Sequence, residues 1–77
     1  MLDEIRKSIS AQLGISIDTI TEKSRLIDDL KADSLDIVDL VTGLEERYGI
    51  EISEEDLPTL KTVGDVAAYV AEHVASK

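Results

Sequence analysis

The sequence predicts an all-α protein: a small four-helix bundle of three longer helices and one short helix, with a long loop between the first two main helices. Three observations carry that expectation. Apolar residues recur at three- and four-residue steps in three separate stretches, the spacing of a helix with one buried face. Glycines and capping residues punctuate those stretches where helices should stop and start. The chain has 77 residues, enough for one domain over 1–77 with one small core.

The first stripe is Leu2, Ile5, Ile9 and Leu13, which predicts a helix over about 3–13 stopped by Gly14. Residues 14–33 have no sustained helical period, although Ile15, Ile17, Ile20, Leu26, Ile27 and Leu30 are apolar. A connection this long in so small a domain is unusual and often functional, and its scattered apolar residues predict that it is strapped to the core. Asp28-Asp29-Leu30 is the place for a short helical turn.

Asp33 then reads as the N-cap of a helix running to about Tyr48. Leu35, Val38, Val41, Leu44 and Tyr48 form its predicted apolar stripe, widened by Ile37 and Leu40, while Asp36, Asp39, Glu45 and Glu46 face outward. Gly43 inside this helix costs about 1 kcal/mol against Ala, and either admits a close neighbour or leaves space. Gly49 is the C-terminal stop. Ser53-Glu54-Glu55-Asp56 resembles a capping box for a short helix, cut off by Pro58. Thr62-Val63-Gly64-Asp65 is a second such start, and Val63, Val66, Ala67, Val70 and Val74 predict a last helix over about 63–75, with His73 in its final turn.

Composition excludes several functions. Aromatics are 3% of the chain, so the core must be aliphatic. There is no cysteine, so there is no disulfide, zinc-thiolate site or thiol nucleophile, and any thiol chemistry must use an imported thiol. The opening Met1-Leu2-Asp3-Glu4 lacks the basic and apolar regions of a secretory signal, and no apolar run approaches the roughly 20 residues of a membrane span. A cytoplasmic, monomeric protein without membrane insertion is the expectation. The formal net charge is -9, the wrong sign for binding nucleic acid. That charge is local: residues 33–56 hold nine acids against Arg47 alone, while both flanks are nearly balanced. A patch of this kind suits steering of basic partners.

Enzyme chemistry is poorly served. The single histidine, His73, lies far along the chain from Ser34, and no nucleophile-elbow glycines flank that serine. The paired carboxylates lack aromatics or a second domain to wall a substrate cleft. Asp33, Asp36 and Asp39 have no histidine partner and miss the calcium-loop pattern, so no dedicated metal site is expected. What stands out is Asp33-Ser34-Leu35-Asp36, a hydroxyl delivered by a long loop to the positive end of a helix dipole, where a phosphate ester would be tolerated. By itself this is most often no more than a helix start.

In context it is similar to a known family. Leu30-Lys31-Ala32-Asp33-Ser34-Leu35-Asp36, then Val38, Asp39, Leu40, Leu44-Glu45-Glu46, Ile50-Glu51-Ile52 and Thr62-Val63-Gly64-Asp65, resembles an acyl carrier protein over essentially the whole chain. The resemblance implies 4'-phosphopantetheine on Ser34, installed from coenzyme A by a phosphopantetheinyl transferase, with an acyl chain held as a thioester on the arm. The protein would be a carrier, not an enzyme. It would shuttle intermediates of fatty acid or related polyketide-like biosynthesis among acyl-transferring, condensing and reducing enzymes with basic docking patches. Asp33, Asp36, Asp39, Glu45, Glu46, Glu51 and Asp56, with Leu35, would meet those partners. Val38, Val41, Leu44, Ile52, Leu57 and Val66 would lie near the sheltered acyl chain, although they would be core residues in any case. Three positions depart from the pattern: Lys31 stands where glycine is common, Thr42-Gly43 replaces the more usual Met-Ala pair, and Arg47 interrupts the acidic run. Carriers of aminoacyl or D-alanyl loads are the nearest alternatives. The rival class is a cofactor-free acidic helical adaptor for a basic protein.

Overall fold

The three stripes become three helices in the computed structural model, which describes residues 1–75. They are α1 (Leu2–Leu13), α2 (Ser34–Tyr48) and α3 (Val63–Ala75). Helix α1 contacts α2 and α3 more extensively than those two contact each other. The buried hydrophobic residues are all aliphatic, with Ile5 and Ile9 from α1, Leu40, Val41 and Leu44 from α2, and Val63, Val66, Ala67 and Val70 from α3; Ser24 is the buried polar residue among those described. Tyr48 and Tyr69 are packed against this core but only partly buried.

The helix ends are set locally. Gly14 and Gly49 close α1 and α2 in the left-handed conformation, at φ 67° and 64°, and their N–H groups donate to Ser10 O and Glu45 O. Asp33 caps α2 in a complete box: Asp36 N–H donates to Asp33 Oδ1 at 2.9 Å, and Asp33 N–H to Asp36 Oδ2 at 3.3 Å. Thr62 and Asp65 form the matching box on α3, at 3.1 Å in both directions.

The connection over 14–33 is fastened as its apolar content predicts. Ile20 and Leu26 are buried, and Ile17–Thr19 form a 3₁₀ turn. Arg6 of α1 reaches across with Nε on Ile20 O at 2.7 Å and Nη2 on Ile17 O at 3.0 Å. The far half is sewn to the start of α3 by backbone bonds: Leu26 N–H to Lys61 O, Val63 N–H to Ser24 O and Gly64 N–H to Glu22 O, at 3.0, 3.0 and 2.8 Å. Arg25 and Thr62 form an isolated antiparallel bridge there. Residues Leu26 to Leu30 turn tightly, with Asp29 and Leu30 N–H both on Arg25 O.

The short fourth helix is a single 3₁₀ turn, Leu57–Thr59. The expected box at Ser53 does not close through Asp56. Ser53 Oγ accepts from Glu55 N–H at 3.2 Å, and the Asp56 carboxylate turns to Tyr69. Pro58 sits in the turn, has no N–H to donate, and biases the residue before it away from the α conformation.

One stripe is rotated from expectation. The buried face of α2 runs through Ile37, Leu40, Val41, Leu44 and Tyr48, whereas Leu35 is 74% exposed and Val38 49% exposed. At about 100° per residue, Leu35 and Val38 fall on the far side and flank of the helix from that face. Thr42 and Gly43 are also exposed, so neither shapes the interior.

Candidate functional site

Ser34 is the first residue of α2, exposed, at the end of the strapped loop. Its hydroxyl makes no hydrogen bond among the described residues. The capping box engages Asp36 N–H, and Ile37 N–H donates to Asp33 O at 3.1 Å. The N–H groups of Ser34 and Leu35 have no protein partner among the described residues, so two donors at the positive end of the helix dipole stand beside a free hydroxyl. That donor set fits a phosphodiester on Ser34, whose oxygens would take the place of water at those N–H groups.

Lys31 delivers the chain to this point in the left-handed conformation, φ 60°. Ala32 is buried, its N–H on Leu26 O at 2.9 Å. The loop thus turns back on itself just before the serine, which fixes where α2 begins.

A groove of about 650 Å³ opens one helical turn from Ser34, at Ile37, with Leu26, Ile27, Leu57, Pro58 and Leu60 on its apolar lining and Arg25 and Lys61 among its polar residues. Of the residues expected near an acyl chain, Leu57 lines this groove, while Val41, Leu44, Ile52 and Val66 are buried in the core. Val38 is the correction to that set: it lies on the exposed flank of α2 and points away from the interior. Ile37, Ile27 and Leu60 line the groove instead. Ile37 belongs to the residues widening the stripe; Ile27 is one of the scattered apolar residues of the 14–33 connection, and at 60% exposed it lines the groove rather than entering the core.

The seven acids expected to meet partners divide into two groups. Asp33 and Asp36 are committed to the capping box. Glu45 Oε2 accepts Ile52 N–H at 2.9 Å, and Asp56 Oδ2 accepts the Tyr69 hydroxyl at 2.7 Å. Asp39, Glu46 and Glu51 are exposed and hold neither a hydrogen bond nor an ion pair among the described residues. Glu45, Glu51, Glu54 and Asp56 surround a second groove of about 580 Å³, with Tyr69 and His73 on its other wall. His73 stacks on Tyr69 at 3.9 Å between ring centroids, with Nδ1 2.8 Å from Tyr69 O. The Asp56 hydrogen bond holds the Tyr69 phenol above its ordinary pKa, with burial adding to it. Tyr69 lay off the predicted stripe of α3, and only its rarity as one of two tyrosines could have drawn attention to it.

Known proteins resemble this chain in sequence and in fold. A family model described as a phosphopantetheine attachment site matches residues 3–70. An acyl carrier protein of Clostridium perfringens is 49% identical over 73 residues, covering 95% of this chain and 96% of that protein. One from Chlamydia trachomatis is 46% identical over 71 residues, covering 92% of each. Among solved structures, a Mycobacterium tuberculosis chain described as an acyl carrier protein superposes with a TM-score of 0.84 at 40% identity, over 94% of this chain and 97% of that one. The acyl carrier protein of Enterococcus faecalis does so at 0.79 and 36% identity, over 94% and 91%.

Proposed function

The chain belongs to the acyl carrier protein family, and from that premise we propose that Ser34 is its attachment point for 4'-phosphopantetheine, within a single carrier domain over residues 1–77. The family carries acyl groups on this prosthetic group rather than catalysing their chemistry. When attached, the arm supplies the thiol that a cysteine-free chain lacks. The observation that carries the assignment is the unbonded Ser34 hydroxyl beside two unpartnered N–H groups at the start of α2.

The residues of the chain have separate tasks. The Asp33–Asp36 box fixes the first turn of α2 and so the position of Ser34 Oγ. The N–H groups of Ser34 and Leu35 would hold the phosphate of the arm. Leu35 offers an exposed apolar contact beside the serine, and Asp39, Glu46 and Glu51 offer free carboxylates to Lys and Arg on a partner. Ile37, Leu57 and Leu60 form an apolar entry near the serine, above Val41, Leu44, Ile52 and Val66. The reading places the protein in the cytoplasm. It is modified there by a phosphopantetheinyl transferase and serves acyl-transferring, condensing and reducing enzymes of fatty acid or related polyketide-like synthesis. No helix among the described residues is long and apolar enough to cross a membrane.

Intact mass tests the assignment. The wild-type chain, treated with coenzyme A and a competent transferase, gains one phosphopantetheine. Ser34→Ala keeps its helical circular dichroism and gains nothing. Modification of the Ala variant would move the site to another residue. A recovered aminoacyl or D-alanyl load, in place of a fatty acyl or polyketide-like one, would overturn the pathway while leaving the attachment intact.

A further inference from the structure

Among the described residues, Lys31 is the one non-glycine residue at positive φ, 60°. A Cβ makes that conformation costly, and glycine would hold it freely. Residues kept in such conformations concentrate at functional sites. Lys31 is exposed and stands three residues before Ser34. Its ammonium makes no hydrogen bond and no ion pair among the described residues. The acids around it in the chain are already engaged. Asp28 Oδ2 lies 3.5 Å from Arg25 Nη1, and Asp29 Oδ2 accepts Arg25 N–H at 2.8 Å. Asp33 and Asp36 accept each other's N–H groups in the capping box. The approach to the serine therefore presents one cation without an anion.

An arm on Ser34 brings the missing anion. A phosphodiester is singly negative at neutral pH, and here it arrives at the head of a tract with nine acids and one base. The N–H groups of Ser34 and Leu35 carry only the partial positive charge of a helix start. They can hold phosphate oxygens, but they leave the added charge inside a repelling field. Three residues of chain span at most about 11 Å, and Ala32 N–H on Leu26 O turns the loop back within that span. The flexible four-carbon stem of a lysine and an ester on the serine can meet across it. We propose that Lys31 is the counter-ion of the arm's phosphate: its ammonium pairs with the phosphodiester on Ser34 and pins the root of the arm against the first turn of α2. This rests on the attachment reading above and adds to it a residue that the capping box and the free N–H groups do not include. The pairing gives a reason for a lysine at a backbone position where glycine would fold more easily. It also means that attaching the arm changes the surface beside the serine, from a free cation to a neutralised pair.

Competitive acetylation of the amines tests the pairing. The wild-type chain is loaded from coenzyme A by a transferase. Loaded and unloaded forms are then labelled with trace acetic anhydride and mapped by mass. Loading should slow the labelling of Lys31 about three- to fivefold, the scale of one contact charge pair in water, and leave Lys7, Lys23 and Lys61 unchanged. The slowing should fade in 1 M sodium chloride, where the Debye length is about 3 Å. An equal rate before and after loading overturns the pairing. So does a slowing that salt does not relieve, because a bulky arm can shield an amine without any charge. Phosphorus NMR of loaded variants is the second measurement. Lys31→Met should move the phosphodiester resonance, and Lys31→Arg should hold it near its wild-type position. A resonance indifferent to Lys31→Met overturns the proposal. A wild-type chain that gains no phosphopantetheine is seen in the mass before any labelling, and it overturns the attachment reading and the pair together.

Discussion

Lys31 holds φ 60°, a conformation that costs a side chain with a Cβ about 1–2 kcal/mol and costs glycine nothing. This is the physical reason glycine suits the position in proteins of this pattern. Lys31→Gly should stabilise the fold by about 0.5–1 kcal/mol, because the relief of the left-handed backbone exceeds the extra freedom glycine has when unfolded. Urea unfolding measures it, and a loss of stability would show that the lysine side chain contributes something the backbone argument omits. The acids nearby separate in the same residue-by-residue way. Asp36→Lys removes half of a capping box and should cost about 0.5–2 kcal/mol of stability as well as slowing association with the transferase. Asp39→Lys removes a free, exposed carboxylate and should slow association without a comparable loss of stability. Equal stability losses in the two variants would count against the division between structural and partner-facing acids.

At the level of elements, two glycines in helices give opposite expectations. A Cβ on Gly43 would meet nothing within 4 Å, so Gly43→Ala should gain about 1 kcal/mol of helix propensity. A Cβ on Gly64 would lie 2.7 Å from Glu22 Cγ and 3.0 Å from Glu22 O, where the loop is sewn to α3, so Gly64→Ala should cost about 1–3 kcal/mol. Thermal melts of the pair decide whether loop-to-helix contact or propensity rules each site. The Tyr69–Asp56 tie carries a pH expectation. The phenol's folded pKa is raised above the ordinary value of about 10, so the stabilisation is complete below that pH and is lost as pH rises through the higher folded value. The groups facing the phenol are Asp56, Glu45 and the stacked His73 ring. Ultraviolet titration in a Tyr48→Phe background should show this value fall when Asp56 becomes Asn; an unmoved titration would remove Asp56 as its cause. These elements also show what the sequence could convey. Helix bounds were legible because Gly14, Asp33, Gly49 and the Thr62–Asp65 box act within a few residues. The place of Ser34 at the start of α2 was legible because loop, cap and serine are contiguous. The phase of α2 was not, since Leu35 and Val38 keep helical spacing with Val41 and Leu44, and only the packing of α1 and α3 selects the face through Ile37 and Leu40. The Glu45–Ile52 and Asp56–Tyr69 hydrogen bonds link residues 7 and 13 positions apart, beyond any local pattern.

Across the whole molecule the charge is both unbalanced and unpaired where it matters. The three ion pairs among the described residues, Met1–Glu4, Arg6–Asp3 and Arg25–Asp28, all precede residue 33. The nine acids of 33–56 therefore have no ion-pair partner there, and Arg47 donates to Ser8 Oγ and lies over the Tyr48 ring. The folded chain measures 31 × 22 × 19 Å, and α2 with its 15 residues spans about 22 Å. At 0.01 M salt the Debye length is about 30 Å, so most of the acidic tract is mutually unscreened; at 0.1 M it is about 10 Å, and only near neighbours still repel. Unfolding spreads the same charges over an expanded chain, so the repulsion weighs more heavily on the folded state. Raising sodium chloride from 0.01 to 0.3 M should therefore stabilise the protein by on the order of 1 kcal/mol, a rise of roughly 4–8 °C in Tm for a domain of this size. Millimolar magnesium should act in the same direction, with a graded response rather than saturation at one equivalent. Reversing Asp39 or Glu46 to Lys should raise Tm at low salt and flatten its salt dependence, because each removes repulsion from the tract without breaking a cap or a carboxylate hydrogen bond. A Tm that falls with added chloride would show that the acids are held by pairing across the fold, and that the tract is a structural feature before it is a docking surface.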